Sequence, residues 1–246
     1  MSYSSSYSLS NCKEAFDNKN TFYNEDFINY RGKTSDTKEY FTEIIAKFLC
    51  EHVDEYVNGI SRISRTSPYK TKERDGKYDP ASNHEEERIA KLMFNQSRDR
   101  GAFNLIGTIE DYQTPLRTPK DKSDDKKDGE EKNQFPGKID LLACDGQIMR
   151  ILELKRPKSK ETMLRCVLEC FTYLRIVDCD KLVIDFGYKP AVVSVEASPL
   201  VPYKGSQHKE MSEERPHLHE LMRKLKIVPY YYYIFNNGYY DIVRQQ

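Results

Sequence analysis

The chain of 246 residues is long enough for one large domain, or for a core with an added arm, and can bury most of its apolar surface. Its 39 basic residues equal its 39 acidic residues, so the overall charge does not attract nucleic acid, and any such binding must depend on a local patch. No stretch approaches the roughly 18 apolar residues of a membrane span, and the polar first residues lack the order of a signal peptide. We therefore expect an intracellular protein, cytoplasmic or nuclear if eukaryotic, that does not contact membranes.

The N-terminal part of the chain divides into an arm and two helices. Residues 1–35 are rich in Ser, Tyr and Asn without clear periodicity, which predicts a loose arm or one that docks by its aromatic side chains. Residues 36–246 are expected to form a single domain. From Lys38 to about Ile63, apolar residues recur at helical spacing and predict an amphipathic helix. A basic loop follows, and Ser82 or Asn83 is expected to cap a second helix.

The centre of the chain contains three strand-like segments around a polar insertion. The first predicted strand covers residues 102–110 and is followed by a mixed-charge run at 118–134, expected to be a mobile hairpin tip. The segments KIDLLAC and QIMRILELK predict two further strands, and Asp145-Gly146 between them is a strong signal for a two-residue hairpin turn. These two strands should therefore pair antiparallel.

The last third of the chain alternates helical and strand-like patterns. A helix is predicted over residues 160–178, strands at KLVIDFG and AVVSVEA, and a final helix at about 212–226. The last predicted element is an aromatic hairpin with Asn237-Gly238 at its turn, whose tyrosine run, residues 230–233, could stack on bases or cover a core. The order of the central elements is helix, three strands, helix, strand, which predicts an α/β fold.

Acidic-x-Lys triplets occur at several places in this highly charged chain, but Glu153 and Lys155 occupy a distinctive position. They end an apolar strand, whose two-residue period places both side chains on one face. Across the predicted hairpin, Asp140 lies near the start of the partner strand, so its carboxylate can approach that of Glu153. The alternative is a chance ion pair between Glu153 and Lys155 on the surface.

Two carboxylates directed at one point repel each other, and their arrangement becomes favourable if a hard divalent cation bridges them. Mg²⁺ is the expected ion, with Mn²⁺ as a substitute, because water and phosphate oxygens can complete its coordination shell. A lysine beside that ion can hold or deprotonate the attacking water and stabilise charge on a phosphate. The pattern therefore indicates a site that hydrolyses phosphodiesters.

The segment PGKIDLLACDGQIMRILELK resembles the signature of the PD-(D/E)xK nuclease superfamily. The resemblance implies a restriction-endonuclease-like αβββαβ core at about residues 82–186, with a central mixed sheet flanked by helices. An N-terminal helix and a C-terminal helix plus β-hairpin would extend this core. The resemblance also implies that Asp140, Glu153 and Leu154 hold the metal ion. Lys155 would then be catalytic beside it.

Many members of this family also carry a glutamate on the first core helix. Glu85, Glu86 and Glu87 are available here, and the helical period favours Glu86 for the inner face, where we expect it to complete the catalytic set. Alternatively, all three could simply complement the helix dipole at the start of the helix.

The predicted helix after Lys155 carries further candidate residues. Glu169 and Tyr173 lie four positions apart on it, similar to the Gln-x-x-x-Tyr pattern of some RecB-like and phage-exonuclease-like members, with Glu in place of Gln. The nucleic-acid-binding set is predicted to include Tyr173 and three basic residues at the start of this helix: Lys158, Lys160 and Arg165. A solvated basic face is the alternative for those three.

Together these features predict a Mg²⁺-dependent nuclease, with DNA favoured over RNA as the substrate. The alternative is a catalytically inactive module of the same fold that binds nucleic acid, or a protein partner through its N-terminal arm or C-terminal hairpin. A net charge of zero favours this alternative. The sequence pattern leaves open the oligomeric state, endo or exo cleavage, and sequence preference.

Overall fold

The computed structural model describes residues 7–34, 37–117 and 137–244, and the hairpin tip predicted at 118–134 lies outside these ranges. Within them the helices are α1 (Leu9–Ala15), α2 (Phe41–Glu51), α3 (Val53–Gly59), α4 (Glu85–Arg100), α5 (Met163–Ile176), α6 (Cys179–Asp185), α7 (Ser206–Met211) and α8 (Pro216–Leu225). The strands are β1 (Thr108–Pro115), β2 (Lys138–Cys144), β3 (Ile148–Leu154), β4 (Ser194–Pro202), β5 (Tyr230–Ile234) and β6 (Tyr240–Val243). None of the helices in these ranges combines the length and the apolar character needed to cross a bilayer.

The six strands form one mixed sheet in the order β1-β2-β3-β4-β5-β6. β1, β2 and β3 pair antiparallel, β4 runs parallel to both β3 and β5, and β6 returns antiparallel to β5. Two parallel neighbouring strands require a crossover connection between them. α5 lies in the connection from β3 to β4. The predicted α/β class is therefore confirmed.

Both faces of the sheet are covered, so its central strands are apolar on both sides. On one face, Ile151 and Val201 pack with α2, α5 and α8. On the other face, Leu152 and Leu200 pack with α4. Successive side chains of a strand alternate between the two faces, so β3 contributes to both apolar layers. The same alternation places Glu153 on the face of Ile151, next to α5.

Residues 7–34 pack against the helices on the α5 face of the sheet through buried aromatic side chains. The rings of Phe16 and Phe48 meet edge to face with their centroids 5.0 Å apart, and those of Tyr23 and Tyr173 meet in the same way at 6.1 Å. This segment therefore shares its apolar core with the helices of the domain.

Strands β2 and β3 lie where they are predicted, and so does the aromatic hairpin of β5 and β6, which turns at Gly238 with a φ of 82°. The connection between β2 and β3 is longer than the predicted two-residue turn, with Asp145, Gly146 and Gln147 between the strands. Asp145 Oδ1 stabilises it by accepting hydrogen bonds from the backbone N–H groups of Gln147 and Ile148.

The prediction of a strand at KLVIDFG is wrong, because this segment forms helix α6. The Asp178 side chain caps the helix by accepting a hydrogen bond from the Lys181 backbone N–H at 3.0 Å, and the apolar residues of α6 pack from one side into the core. The fourth core strand is instead β4. The αβββαβ order therefore spans residues 85–202 rather than 82–186, with α6 as an addition between α5 and β4.

Other boundaries differ from prediction for local reasons. β1 begins at Thr108 rather than at residue 102, because Phe103 and Gly107 form an isolated bridge in front of it. The helix predicted from Lys38 to Ile63 is divided into α2 and α3 at His52, whose φ of −117° and ψ of 25° are not helical.

Two helices on either side of the central strands also begin later than predicted. α4 has His84 in the cap position, rather than Ser82 or Asn83. α5 begins at Met163, where the Thr162 side chain accepts a hydrogen bond from the first turn and caps the helix. The residues between β3 and α5 therefore form a loop.

Candidate active site

Asp140 on β2 and Glu153 on β3 occupy opposite positions across the β2–β3 pair. The pairing of Leu141 with Leu152 sets this register. Asp140 Oδ2 also accepts a hydrogen bond from the backbone N–H of Leu154 at 3.0 Å, which holds the carboxylate against the main chain of β3. The β2–β3 hairpin thus brings the two carboxyl groups to one place.

Lys155 follows β3 directly and is only 3% exposed. Its Nζ donates to Glu153 Oε1 at 2.6 Å and to Glu169 Oε2 at 3.2 Å, and it lies 2.6 Å from Glu161 Oε2. Burial alone would lower the pKa of Lys155, but Glu153 and Glu169 outweigh burial and raise this pKa well above its ordinary value. The ammonium group therefore stays charged, and the Glu153–Lys155 contact is not a surface ion pair.

The carboxyl groups of Asp140 and Glu153 bind protons more tightly than ordinary carboxyl groups. Burial raises the pKa of Asp140 to about 7 against the opposing charge of Lys155. The negative charges of Glu169 and Glu86 contribute to this rise. Burial also raises the pKa of Glu153, and Asp140 adds to that rise. Additional positive charge at this point would therefore be favourable.

Glu169 and Tyr173 contact each other on α5, as their spacing predicts. The Tyr173 hydroxyl donates to Glu169 Oε1 at 3.1 Å. Burial alone would raise the pKa of Glu169, but Lys155 and Arg165 outweigh burial and lower it. Glu169 is therefore a charged partner that holds Lys155 within the site.

The structure corrects two members of the predicted nucleic-acid-binding set. Tyr173 is 4% exposed and packs against Tyr23, so its ring cannot stack on a base. The Arg165 guanidinium donates to Tyr23 O at 2.8 Å and to Asn24 Oδ1 at 3.2 Å. Both side chains therefore hold the N-terminal segment against α5, and neither is placed to contact nucleic acid.

Of the three glutamates at the start of α4, Glu86 faces the loop after β3. Glu86 Oε1 accepts a hydrogen bond from the Arg156 backbone N–H at 3.1 Å. Glu85 lies 3.5 Å from the guanidinium of Arg156, and Glu87 pairs with Lys91 on the surface of α4 at 2.7 Å. Glu86 is thus the glutamate that borders the predicted site.

A cavity of about 410 Å³ opens beside this cluster and is lined by Asn29, Glu86, Arg156, Ser159, Lys160 and Glu161. Glu161 lines this cavity and also contacts Lys155, so the Glu161 carboxylate lies between the cavity and the buried ammonium group. Lys158 and Lys160 are exposed in the loop between β3 and α5, rather than on a helix as predicted. Lys160 lines the cavity, and Lys158 lies two positions before it in the same loop.

Gln113 belongs to the site, although no sequence pattern indicates it. β1 contains a bulge between Ile109 and Asp111, after which Gln113 takes a φ of 52°. Gln113 Nε2 donates to Asp140 Oδ1 at 2.8 Å. The Leu154 backbone N–H donates to the other oxygen, so each oxygen of the Asp140 carboxylate accepts one hydrogen bond. A side chain at positive φ is unfavourable, so neighbouring contacts must hold Gln113 there.

Arg74 and Asp111 supply those contacts. The Arg74 guanidinium pairs with the buried Asp111 carboxylate, and its Nη2 donates to Gln113 O at 3.2 Å. The Thr114 hydroxyl donates to Asp111 Oδ2 at 2.7 Å. Arg74 lies in the basic loop, 37 positions before Asp111, so sequence periodicity gives no sign of this network. The sequence shows the acidic pair Glu110-Asp111 at the end of the strand predicted over residues 102–110.

The donor set at this site fits a magnesium ion. Within the described ranges, no three His, Cys, Asp or Glu side chains are arranged to hold a metal ion by themselves. Mg²⁺ does not require such a group, because it usually binds through one or two carboxylates and keeps water or phosphate oxygens as its other ligands. Asp140 and Glu153 provide two hard carboxylates whose pKa values are raised, first by burial and further by the charges of neighbouring carboxylates. Leu154, between Glu153 and Lys155, can add a backbone carbonyl oxygen.

Comparisons of the chain with protein-family models, with curated proteins and with solved structures found no match. The functional assignment therefore depends on the residues of this chain and on their arrangement.

Proposed function

We propose that this protein is a Mg²⁺-dependent nuclease of PD-(D/E)xK type that hydrolyses phosphodiester bonds of nucleic acid, with DNA favoured over RNA. The observation that carries the proposal is the position of Asp140 opposite Glu153, with the buried ammonium group of Lys155 beside them. The order α4-β1-β2-β3-α5-β4 gives further support, since it is similar to that of a restriction-endonuclease-like core.

Each side chain of the site has a distinct role in this proposal. A magnesium ion held by Asp140, Glu153 and the Leu154 carbonyl would supply positive charge that polarises a phosphate and favours attack by water. Gln113 and the Leu154 N–H hold the Asp140 carboxylate in one orientation. Lys155 is a charged donor fixed by its carboxylate partners, and it stabilises negative charge that develops on the phosphate.

The proposal assigns the substrate an entry point beside the loop between β3 and α5. In this proposal the substrate approaches Lys155 through the cavity that Glu161 lines, and the exposed cations Arg156 and Lys160 also line this cavity. Glu86, at the start of α4, accepts a hydrogen bond from the Arg156 backbone N–H. A phosphate chain that enters here would meet positive charge first at the loop between β3 and α5.

The proposal is tested by incubating the purified full chain with Mg²⁺ or Mn²⁺ and labelled DNA and RNA, single-stranded and duplex. We expect cleavage that Lys155→Ala abolishes and that Lys47→Ala, at an exposed lysine of α2, leaves unchanged. Because loss of Lys155 exposes its carboxylate partners to each other and could unfold the protein, Glu153→Gln serves as a second variant and circular dichroism as the check of folding. Absence of cleavage with every substrate, or full activity of folded Glu153→Gln, would contradict the proposal.

A second candidate function is a catalytically inactive module that binds nucleic acid or a protein partner. It is favoured by the contact of Lys155 with Glu153, because the ammonium group already neutralises one of the two carboxylates that would hold the ion. Titration calorimetry separates the two functions. A nuclease should bind Mg²⁺ with an affinity that Asp140→Asn reduces, whereas an inactive module should bind nucleic acid equally well in EDTA and with Asp140→Asn.

A further inference from the structure

A group of aromatic rings, named here the aromatic surface, lies at the carboxyl ends of β4 and β5 and consists of Tyr203, His208, Tyr233 and Phe235. The rings are continuous: Tyr203 and His208 have centroids 4.7 Å apart, Tyr203 and Tyr233 6.4 Å apart, and Tyr233 and Phe235 4.8 Å apart. Tyr203 is 44% exposed and Phe235 is 47% exposed. His208 and Tyr233 are half-buried. A contiguous apolar patch on a protein surface marks a binding site more often than apolar residues scattered singly.

Hydrogen bonds connect the aromatic surface to the candidate active site. The Tyr203 backbone N–H donates to Tyr232 O at 2.7 Å, and the Tyr232 hydroxyl donates to Lys155 O at 2.8 Å. Leu154 pairs with Leu200 in the parallel register of β3 and β4. With ordinary strand dimensions, this register places the Cα atoms of Tyr203 and Lys155 on the order of 10 Å apart.

The aromatic surface and the site lie on the same face of the sheet. His208 packs against Tyr231 with centroids 4.7 Å apart, and Tyr231 belongs to the apolar cluster on the α5 face. Tyr233 is two positions further along β5 and therefore points to that face as well. On this face Lys155 contacts Glu169 of α5. A chain bound at the site can therefore continue to the aromatic rings without crossing the sheet.

Helix α7 joins the two regions. The Ser206 hydroxyl donates to Ser159 O at 2.9 Å, and Gln207 Nε2 donates to Glu161 O at 2.8 Å. These contacts fix α7 to the loop that lines the cavity. His208, the next residue of α7, belongs to the aromatic surface. The cavity and the aromatic surface are thus neighbouring parts of one side of the molecule.

Cations accompany the rings. Lys204 Nζ lies 5.5 Å from the centroid of the Tyr203 ring, and Lys209 is exposed one position after His208. The Tyr233 hydroxyl donates to Asp241 Oδ2 at 2.8 Å, which holds this ring in place. Rings that stack and lysines that attract phosphates are the combination typical of surfaces that bind unpaired nucleotides.

We propose that the aromatic surface binds the unpaired bases of a single-stranded nucleic acid whose backbone continues into the cavity beside Lys155. The inference rests on the proposed nuclease function and assigns it a substrate class, a single strand or a single-stranded end. Aromatic side chains can stack on every base of a single strand, whereas bases in a duplex already stack on each other. The lysines among the rings favour this occupant over an apolar protein segment.

Fluorescence anisotropy of the full chain tests this inference, with a labelled oligothymidylate and a hairpin duplex of equal length in EDTA, so that binding is separated from cleavage. Tyr203→Ala and Phe235→Ala should each weaken binding of the single strand by about fivefold to a hundredfold, the usual effect of losing one stacked ring. Binding of the duplex should be weak and unchanged. The matched control is Tyr78→Ala, at a tyrosine of similar exposure, 41%, outside the aromatic surface.

Phe235→Leu, which keeps an apolar side chain of similar size, provides a second variant if an alanine variant fails to fold. Wild-type affinity of the folded variants for the single strand, as expected if the surface docks a protein, would overturn the inference. An equal loss of single-strand and duplex binding would also overturn it. Cleavage assays keep the two proposals distinct. If the protein cleaves nucleic acid but Tyr203→Ala binds the single strand as tightly as wild type, only the inference about the aromatic surface is refuted. If binding depends on the rings but no substrate is cleaved, only the nuclease function is refuted.

Discussion

Asp140 is held by two hydrogen-bond donors, the amide of Gln113 and the backbone N–H of Leu154, and yet its pKa is raised to about 7. Burial is the main cause, and the charges of Glu169 and Glu86 contribute. A carboxylate placed in this way is unfavourable for folding and useful for binding a cation. The same arrangement therefore predicts both a stability effect and an activity effect.

Asp140→Asn should stabilise the metal-free protein at alkaline pH. A carboxyl group whose pKa rises from 3.8 to about 7 on folding contributes stability that is complete below pH about 4 and is lost as the pH rises through 7. The asparagine has no charge, and a rotated Gln113 amide can still pair with it. The gain in unfolding free energy should be larger at pH 8 than at pH 5 by about 1–3 kcal/mol, since one pKa unit corresponds to about 1.4 kcal/mol.

Thermal unfolding in EDTA at the two pH values measures this effect. The control is Asp99→Asn, at an exposed carboxylate near the end of α4. It should change the melting temperature only slightly, and by the same amount at both pH values. If Asp140→Asn does not raise the melting temperature at pH 8, or raises it more at pH 5 than at pH 8, then Asp140 does not carry an unfavourable charge.

Gln113→Gly should reduce activity without destabilising the protein. Glycine accepts the φ of 52° more readily than glutamine, but it cannot donate to Asp140 Oδ1. Loss of an outer-shell partner typically costs about 10–100-fold in metal affinity or activity. We therefore expect a higher Mg²⁺ requirement, with unfolding free energy within about 1 kcal/mol of wild type. Lys226→Gly, at a φ of 56° at the end of α8, controls for the backbone effect, and equal Mg²⁺ requirements in both variants would contradict a positioning role.

At the scale of elements, patterns within a few residues predict most of the site. The apolar alternation of β2 and β3 and the Asp145-Gly146 pair are local signals, and they suffice to bring Asp140 and Glu153 together. The predictions that were wrong or missing also have local causes. KLVIDFG has a strand-like composition, but the Asp178 cap and packing on one side make it helical. The bulge in β1 has no periodic signal, so Gln113 could not be predicted.

Arg74→Ala should destabilise β1, because it leaves the Asp111 carboxylate buried without its ion partner. Removing one partner of a buried ion pair typically costs about 3–5 kcal/mol. The control is Lys70→Ala in the same loop, which removes a surface ion pair with Glu73 and should cost less than about 1 kcal/mol. Denaturant unfolding measures both variants. Equal stability of the two would mean that the Arg74–Asp111 pair does not hold the bulge.

At the scale of the whole molecule, the N-terminal segment helps to form the cavity beside the candidate site, a relation that no sequence pattern could predict. Asn29 lines the cavity, and its Oδ1 accepts a hydrogen bond from the backbone N–H of Thr162 at 3.2 Å. Arg31 Nε donates to Lys160 O at 3.0 Å, and its Nη2 donates to Glu161 O and to the Ser206 hydroxyl. These partners lie more than 100 positions from the segment, beyond the reach of periodicity.

Arg31→Ala should therefore loosen the loop between β3 and α5. Hydrogen exchange of residues 156–162 should become about tenfold faster or more, because the variant loses three hydrogen bonds of which each contributes roughly 1 kcal/mol. Lys13→Ala, at an exposed residue of α1, should leave exchange in this loop unchanged. Unchanged exchange in Arg31→Ala would show that the N-terminal segment does not hold this wall of the cavity.

The central claim is that Asp140 and Glu153 hold a magnesium ion that supports phosphodiester cleavage. The most direct test is to measure cleavage of a labelled DNA strand against Mg²⁺ concentration for wild type and for Asp140→Asn, with folding of both verified by circular dichroism. We predict that the wild type cleaves DNA at a rate that increases with Mg²⁺ concentration until it saturates. Asp140→Asn should be at least as stable as the wild type and should not cleave. Cleavage that persists in EDTA, or that Asp140→Asn leaves intact, would contradict the assignment of this site.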